Sequence, residues 1–348
     1  MTLDSLNIQN FRNLNKEQFY FHPQLTLIVG ENAKGKTSIL EAIYFVVYGN
    51  GFRETREEEL LLWEETQSLV EGTFQTKGQS QLFQVTLHNR DSYIEKKYYV
   101  NKAAKSHYLY LNHQTRAVLF SPEHILIIIG SPDRRRDYLN RVICAYDVEY
   151  QKRLRNYDNA LRKRNKILET HYHSPNLDEE LVFWNEYLEE QAAYITKKRE
   201  EYINALNKHP NIDSKKFRIE YRKNEFNRIA LLSVEEKEKR YRKTLIGPQK
   251  DDFVVYLKEG SKEENVHLYG SRSEQRLAVF WLKINEIDYL EEKFHIKPLL
   301  LLDDIFSELD QKNKKMVLGV IERYQTIATT TEADLPELTH LPKSVIKL

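Results

Sequence analysis

The chain has 348 residues, enough for two domains and a sizeable core. Lys and Arg (53) nearly balance Asp and Glu (52), so a net charge of +1 provides no global field for nucleic acid, and any such surface has to be local. A single cysteine, Cys144, excludes an intramolecular disulfide; the opening MTLDSLNIQNFRNLN lacks the basic and apolar regions of a signal peptide; and no apolar run approaches the ~20 residues of a membrane span. A soluble, cytoplasmic protein with no membrane partner is expected.

Residues 1–130 alternate strand-like runs (QLTLIVG, SLVEGTFQT, SQLFQVTLH, SYIEKKYYV) with turns. The strand Leu25 to Val29 runs into a loop with Gly30, Gly35, Lys36 and Thr37, and the apolar-periodic Ile39, Leu40, Ile43, Tyr44 and Val47 then predict a helix. This is G-x-x-x-x-G-K-[ST] between a strand and a helix, a nest of backbone amides for phosphate. Gly30, Glu31, Asn32, Ala33, Lys34, Gly35, Lys36, Thr37 and Ser38 are expected to cradle ATP. Lys36 reaches the β/γ-phosphates, and the Thr37 hydroxyl faces Mg²⁺.

Residues 131–245 are charged, lack glycine and are helix-rich. Leu154, Leu161 and Leu168 are seven apart; beyond HYHSPN, so are Leu181, Leu188, Ile195 and Tyr202. Two such stripes joined by a Pro-containing turn predict an antiparallel helical hairpin. His171 and His173 read as part of that polar turn. Between Arg134 and Lys166 eleven basic residues face four acids, an excess that suits either a solvated helix face or a surface tracking DNA phosphates. The DNA-facing candidates are Arg134, Arg135, Arg136, Arg155, Arg162 and Arg164.

Residues 246–348 return to alternating strand and helix, with the strands DFVVYL and PLLLLDD. The latter is an apolar run ending in two carboxylates, the pattern of a central parallel strand whose carboxyl end faces a ligand. Asp303 is placed to hold Mg²⁺, and Asp304 to orient and polarise the attacking water.

Phosphate loop, YGSRSEQR (Tyr269 to Arg276) opening a helix, PLLLLDD and SELD (Ser307 to Asp310) follow the order found in ABC-type ATPases. In that resemblance Ser271 takes the place of the signature serine, which completes the partner's ATP site in a dimer. Ser273 stands where the pattern has Gly, and Glu274 where it has Gln. Between Lys36 and Ser271 the chain inserts a short helical hairpin instead of the several hundred residues of coiled coil in chromosome-maintenance heads, an arrangement that resembles the RecF family of recombination mediators. NFRN (Asn10 to Asn13) looks like that family's opening motif, which places Arg12 at the ATP. GNGFRETREEELL, VLFSPEHILIIIGSPDRRRDYLNRVI and IGPQKDD are similar to its later segments, with Asn140 where Asp is usual and Gln249 and Lys250 substituted. A switch position near Thr329 to Thr331 places Thr330 at the nucleotide. The resemblance implies an α/β ABC-type P-loop ATPase head (1–130 and 246–348) with an inserted α-helical arm, a short antiparallel coiled hairpin (131–245). It also implies weak, DNA-dependent ATP hydrolysis as a switch, with Lys36, Ser271 and Asp304 as catalytic groups. ATP and Mg²⁺, an ATP-dependent homodimer, duplex DNA at single-strand gaps, and action with RecR and RecO to load RecA follow from it too. A transporter-type ABC ATPase subunit and a P-loop small-molecule kinase are the alternatives.

Overall fold

The computed structural model describes all residues except 54–55, 77, 91, 114, 261, 307–310, 332–337 and 339–340, and not the side chains of 311–313. SELD therefore lies outside the described residues. Two units pack separately: Met1–Glu123 with Ile287–Leu348, and His124–Glu286.

In the first unit the apolar runs form an all-parallel sheet in the order Lys343–Lys347, Leu25–Val29, Thr326–Thr330, Leu299–Asp303, Ala117–Phe120. The three inner strands are buried at every residue, as strands covered on both faces must be. Ile28 and Asp303 both pair with Thr329, and Val29 pairs with Thr330, so the three carboxyl ends finish level. A second, antiparallel sheet runs Leu14–Tyr20, Thr2–Phe11, Gln67–Thr76, Gln79–Asn89, Ile94–Val100, Ala103–Lys105. Its strand Gln67–Thr76 alternates buried and half-buried residues, the period of a sheet with one face on the core. The helix Lys36–Tyr48 packs on both sheets, and all its residues but Thr37 are buried.

In the second unit the helices Val148–Thr170 and Leu177–Lys208 are the expected hairpin. Hydrogen bonds from Arg153 to Glu190 and from Arg164 to Asn185 set their antiparallel register. Leu168, Leu181, Leu188, Ile195 and Tyr202 are buried along the seam. The helix-rich segment also contains a strand, Lys215–Arg222, where Phe217 and Ile219 turn inward with a period of two. It pairs antiparallel with Asp252–Glu259 inside a four-stranded sheet.

Arg199 is the buried hub of this unit. Its guanidinium donates to Asp251 Oδ2 at 2.6 Å, Pro248 O at 2.7 Å, Asn140 Oδ1 at 2.9 Å and Tyr150 OH at 3.1 Å. The loop that receives it turns at Gly247, whose φ is +116° and where a Cβ would lie 2.2 Å from Tyr157 OH. Only glycine fits both constraints.

Removing one partner of a buried pair strands the other charge. Arg199→Met is expected to cost about 3–5 kcal/mol in urea unfolding. Arg199→Met combined with Asp251→Asn should cost less than the two single changes together. Strict additivity would show that the two groups do not depend on one another.

Candidate functional site

The level carboxyl ends of three strands build one edge. From Val29 the chain turns through Gly30 and the exposed Glu31, Asn32, Ala33 and Lys34. Gly35 starts the helix at φ +97°, a conformation that L side chains rarely adopt, with the Leu14 side chain 3.0 Å from where a Cβ would stand. Lys36 is buried, 7% exposed as a residue, and its amine folds back along the loop and donates to Gly30 O at 2.6 Å and Glu31 O at 2.9 Å. Thr37 donates to Asp303 Oδ1 at 2.8 Å, and Thr329 donates to the same oxygen at 3.0 Å. Thr329 Oγ1 in turn accepts the Asp304 amide at 2.9 Å, where the backbone leaves the strand with φ at +46°. Burial pushes the Asp303 carboxyl above the usual range, against the pull of the Thr37 and Thr329 hydroxyls and of Arg53. A hydroxyl and a buried carboxylate held together at a phosphate loop are a donor set that suits a hard divalent cation. Such a cation would compete with a proton for Asp303. Ser38 and Thr330 are buried at the same edge, Ser38 with its hydroxyl 3.5 Å from the Arg53 guanidinium.

One turn beyond Thr37 on the same helix stands Glu41, fully buried. Arg12 grips it with two bonds of 2.8 Å, and Arg53 with its side chain (2.7 and 3.1 Å) and its backbone amide (3.0 Å). Burial alone would raise the Glu41 carboxyl; the Arg12 and Arg53 guanidiniums outweigh it and hold the group below the usual range. Arg12 is shared with a second carboxylate, Glu59, at 3.8 Å, so the two guanidiniums and the acids around them form a mixed-charge cluster beside the loop. Arg12, Ser38 and Arg53 line an open cleft of about 1200 Å³ there together with Glu58, Glu59 and Glu65. Of Arg12, Glu41 and Arg53 only Arg12 was expected from the sequence. The available signal for Glu41 was a lone carboxylate within the apolar ILEAIYFVV, which a helix buried all round has to pair.

Ser271, Ser273 and Glu274 lie in the other unit, at the start of the helix Arg272–Phe294. The basic run is corrected in part. Arg164 is 2% exposed and bound by Glu238 at 2.7 Å, Asn185 at 2.8 Å and Thr244 at 2.8 Å, so it has no free face for a phosphate. Arg135 is committed to Asp252 (2.5 and 3.1 Å) and Gly130 O, and Arg136 to Asp251 O and Asp133. These two arginines tie the helix Pro132–Cys144 to the loop that Arg199 also grips. Arg134, Arg155 and Arg162 are exposed. No helix among the described residues is long and apolar enough to cross a membrane.

The family model for the RecF/RecN/SMC N terminal domain matches residues 2–337. The chain is 31% identical to the DNA replication and repair protein RecF of Natranaerobius thermophilus, over 96% of this chain and 92% of that one. It is 32% identical to the protein of the same name from Halalkalibacterium halodurans, over 96% and 94%. It is also similar to a solved structure of the recombination mediator protein RecF-ATP in the RecFOR pathway, at TM-score 0.85 and 31% identity, covering 96% of this chain and 93% of that one.

A carboxylate whose folded pKa is depressed stabilises the fold above its unfolded pKa of about 4.3, and that contribution is lost as pH falls through the folded value. Glu41→Gln, which removes the buried anion shared by Arg12 and Arg53 and leaves Arg12 only the more distant Glu59, should therefore cost about 3 kcal/mol at pH 7 in urea unfolding. The gap to the wild-type chain should narrow below about pH 4. A gap that does not change with pH would assign the loss to packing instead of charge.

Proposed function

Because the chain belongs to the RecF family of DNA replication and repair proteins, we propose that it is an ATP-dependent DNA-binding protein of recombination and repair, switched by slow ATP hydrolysis. The observation that carries this reading is the Thr37–Asp303 hydrogen bond beneath the loop whose carbonyls hold the Lys36 amine. It joins a phosphate cradle to a buried carboxylate at one sheet edge. In this reading Gly30 to Ser38 wrap the phosphates, with Arg12 and Thr330 beside them, and Lys36 leaves its loop carbonyls for the β/γ-phosphates. Thr37 and Asp303 hold Mg²⁺, which when bound neutralises charge across the phosphate oxygens. Asp304 orients the attacking water and accepts its proton as the γ-phosphoryl bond breaks and ADP departs. An aspartate reaches less far than a glutamate would, which suits a slow switch.

Two copies meet face to face, and Ser271 of each completes the other's site through a helix N-terminus. Duplex DNA beside single-strand gaps is the substrate, contacted through its backbone. Work alongside RecO and RecR is supported by the RecFOR pathway named for the similar solved structure, and the loading of RecA is the task this reading gives them. The inserted hairpin and the strand ending in Asp303 and Asp304 argue against a transporter subunit or a small-molecule kinase.

The dimer reading is tested by mixing two dead variants. Lys36→Ala and Ser271→Arg should each abolish ATPase activity. Mixed, they form heterodimers with one intact site, and activity should return in part. Cross-linked heterodimers that bind no ATP would overturn the trans assignment.

The DNA surface left after Arg164, Arg135 and Arg136 are set aside is Arg134, Arg155 and Arg162. Changing all three to Glu should weaken duplex binding equally for every sequence. For every DNA phosphate no longer neutralised, the slope of log affinity against log salt should flatten by about 0.9. An unchanged slope would move the DNA surface elsewhere.

A further inference from the structure

At the start of the helix Arg272–Phe294, Ser271 and Glu274 satisfy one another. The Ser271 amide and hydroxyl both donate to Glu274 Oε2 at 2.9 Å, and the Glu274 amide donates to Ser271 Oγ at 3.3 Å. This is a reciprocal capping box. The second carboxylate oxygen, Oε1, accepts from Lys215 Nζ at 3.0 Å. Lys215 comes from the neighbouring strand Lys215–Arg222 and also donates to Glu259 at 2.6 Å. Three donors from two elements thus converge on one anion at a helix N-terminus, where the backbone field already favours negative charge.

Helix capping does not require that anion to be charged. A glutamine completes the same box without a charge, and Gln is what the ABC pattern carries at this position. The charge is therefore an addition peculiar to the arrangement here. The Ser271 amide, followed by the Lys215 ammonium, holds the Glu274 carboxyl below its usual range, so it is ionised at neutral pH.

We infer that Glu274 is a positioning residue that keeps Ser271 self-occupied: its carboxylate fills the anion site of the helix start, and the γ-phosphate of a second copy's ATP has to displace it to reach the Ser271 donors. This rests on the reading of Ser271 as acting on the partner's nucleotide. The mechanism is competition between two anions for one set of donors. Lys215 sets the balance, because it partly neutralises Glu274 and is positioned to receive the carboxylate when it swings away from Ser271. In this chain ATP-driven association is consequently restrained by a built-in anion, and the restraint is removable without touching the cap.

The full-length chain is titrated with ATP and magnesium, and its mass is followed by light scattering. E274Q should associate at about tenfold lower ATP than the wild type, the order of effect of one pair of like charges near a surface. Its melting temperature should fall only slightly, since Gln still caps and only an exposed charge at the helix start is lost. K215Q, which leaves the Glu274 charge uncompensated, should shift association to higher ATP. If S271R abolishes association while E274Q titrates like the wild type, the inference falls and the reading of Ser271 stands. If S271R associates normally, the trans reading fails and the inference with it.

Discussion

Thr37 and Asp303 lie 266 positions apart in sequence and 2.8 Å apart in space. That closure brings the loop after Val29 and the acidic end of the strand Leu299–Asp303 to one edge. It exists because two strands, Leu25–Val29 and Leu299–Asp303, flank a third in an all-parallel sheet and end at the same level. A parallel sheet cannot be closed by tight turns, so each strand needs a long crossover. The chain between Ala117–Phe120 and Leu299–Asp303 contains the entire second unit. The sheet positions the phosphate loop against the acidic strand end; the crossover is where the additional machinery was accommodated.

What was legible in the sequence was chemistry written in local spacing. The phosphate loop, the apolar strand ending in Asp303 and Asp304, and the heptad stripe of Leu181, Leu188 and Ile195 each announce themselves within about fifteen residues. Charge partners do not. The arginine run Arg134 to Arg164 looks like a basic surface because its counter-ions lie far along the chain: Asp252 is 117 positions from Arg135, and Glu238 is 74 from Arg164. Counting local charge cannot detect such pairs. Glu41 and Arg53 escaped for the same reason, since a buried ion pair has no periodicity. The strand Lys215–Arg222 was masked by its setting between long charged helices, although KKFRIEYR alternates as a half-buried strand should.

The second unit is held by buried arginines as well as by its leucine seam. Arg199 with Asp251 and Arg164 with Glu238 are almost wholly out of water, and each guanidinium is satisfied by further acceptors. Ion pairs of this kind add little net stability over an apolar core, but their partners are directional. The hairpin's register and the path of the Gly247–Asp252 loop are consequently specified by hydrogen-bond geometry. A leucine stripe alone tolerates sliding by a heptad, whereas a guanidinium with several fixed acceptors does not.

The helix Lys36–Tyr48, enclosed between two sheets, has a mechanical meaning. Packed interiors are barely compressible, so a push on Lys36 or Thr37 is not absorbed along the helix. At its far end the Tyr48 hydroxyl donates to Ala117 O at 2.8 Å and accepts from Ala117 N at 3.0 Å. Ala117 opens the edge strand of the parallel sheet. The phosphate loop is thus one end of a strut whose other end is anchored across the sheet. The exposed Glu31 to Lys34 are the part of the loop outside this packed strut.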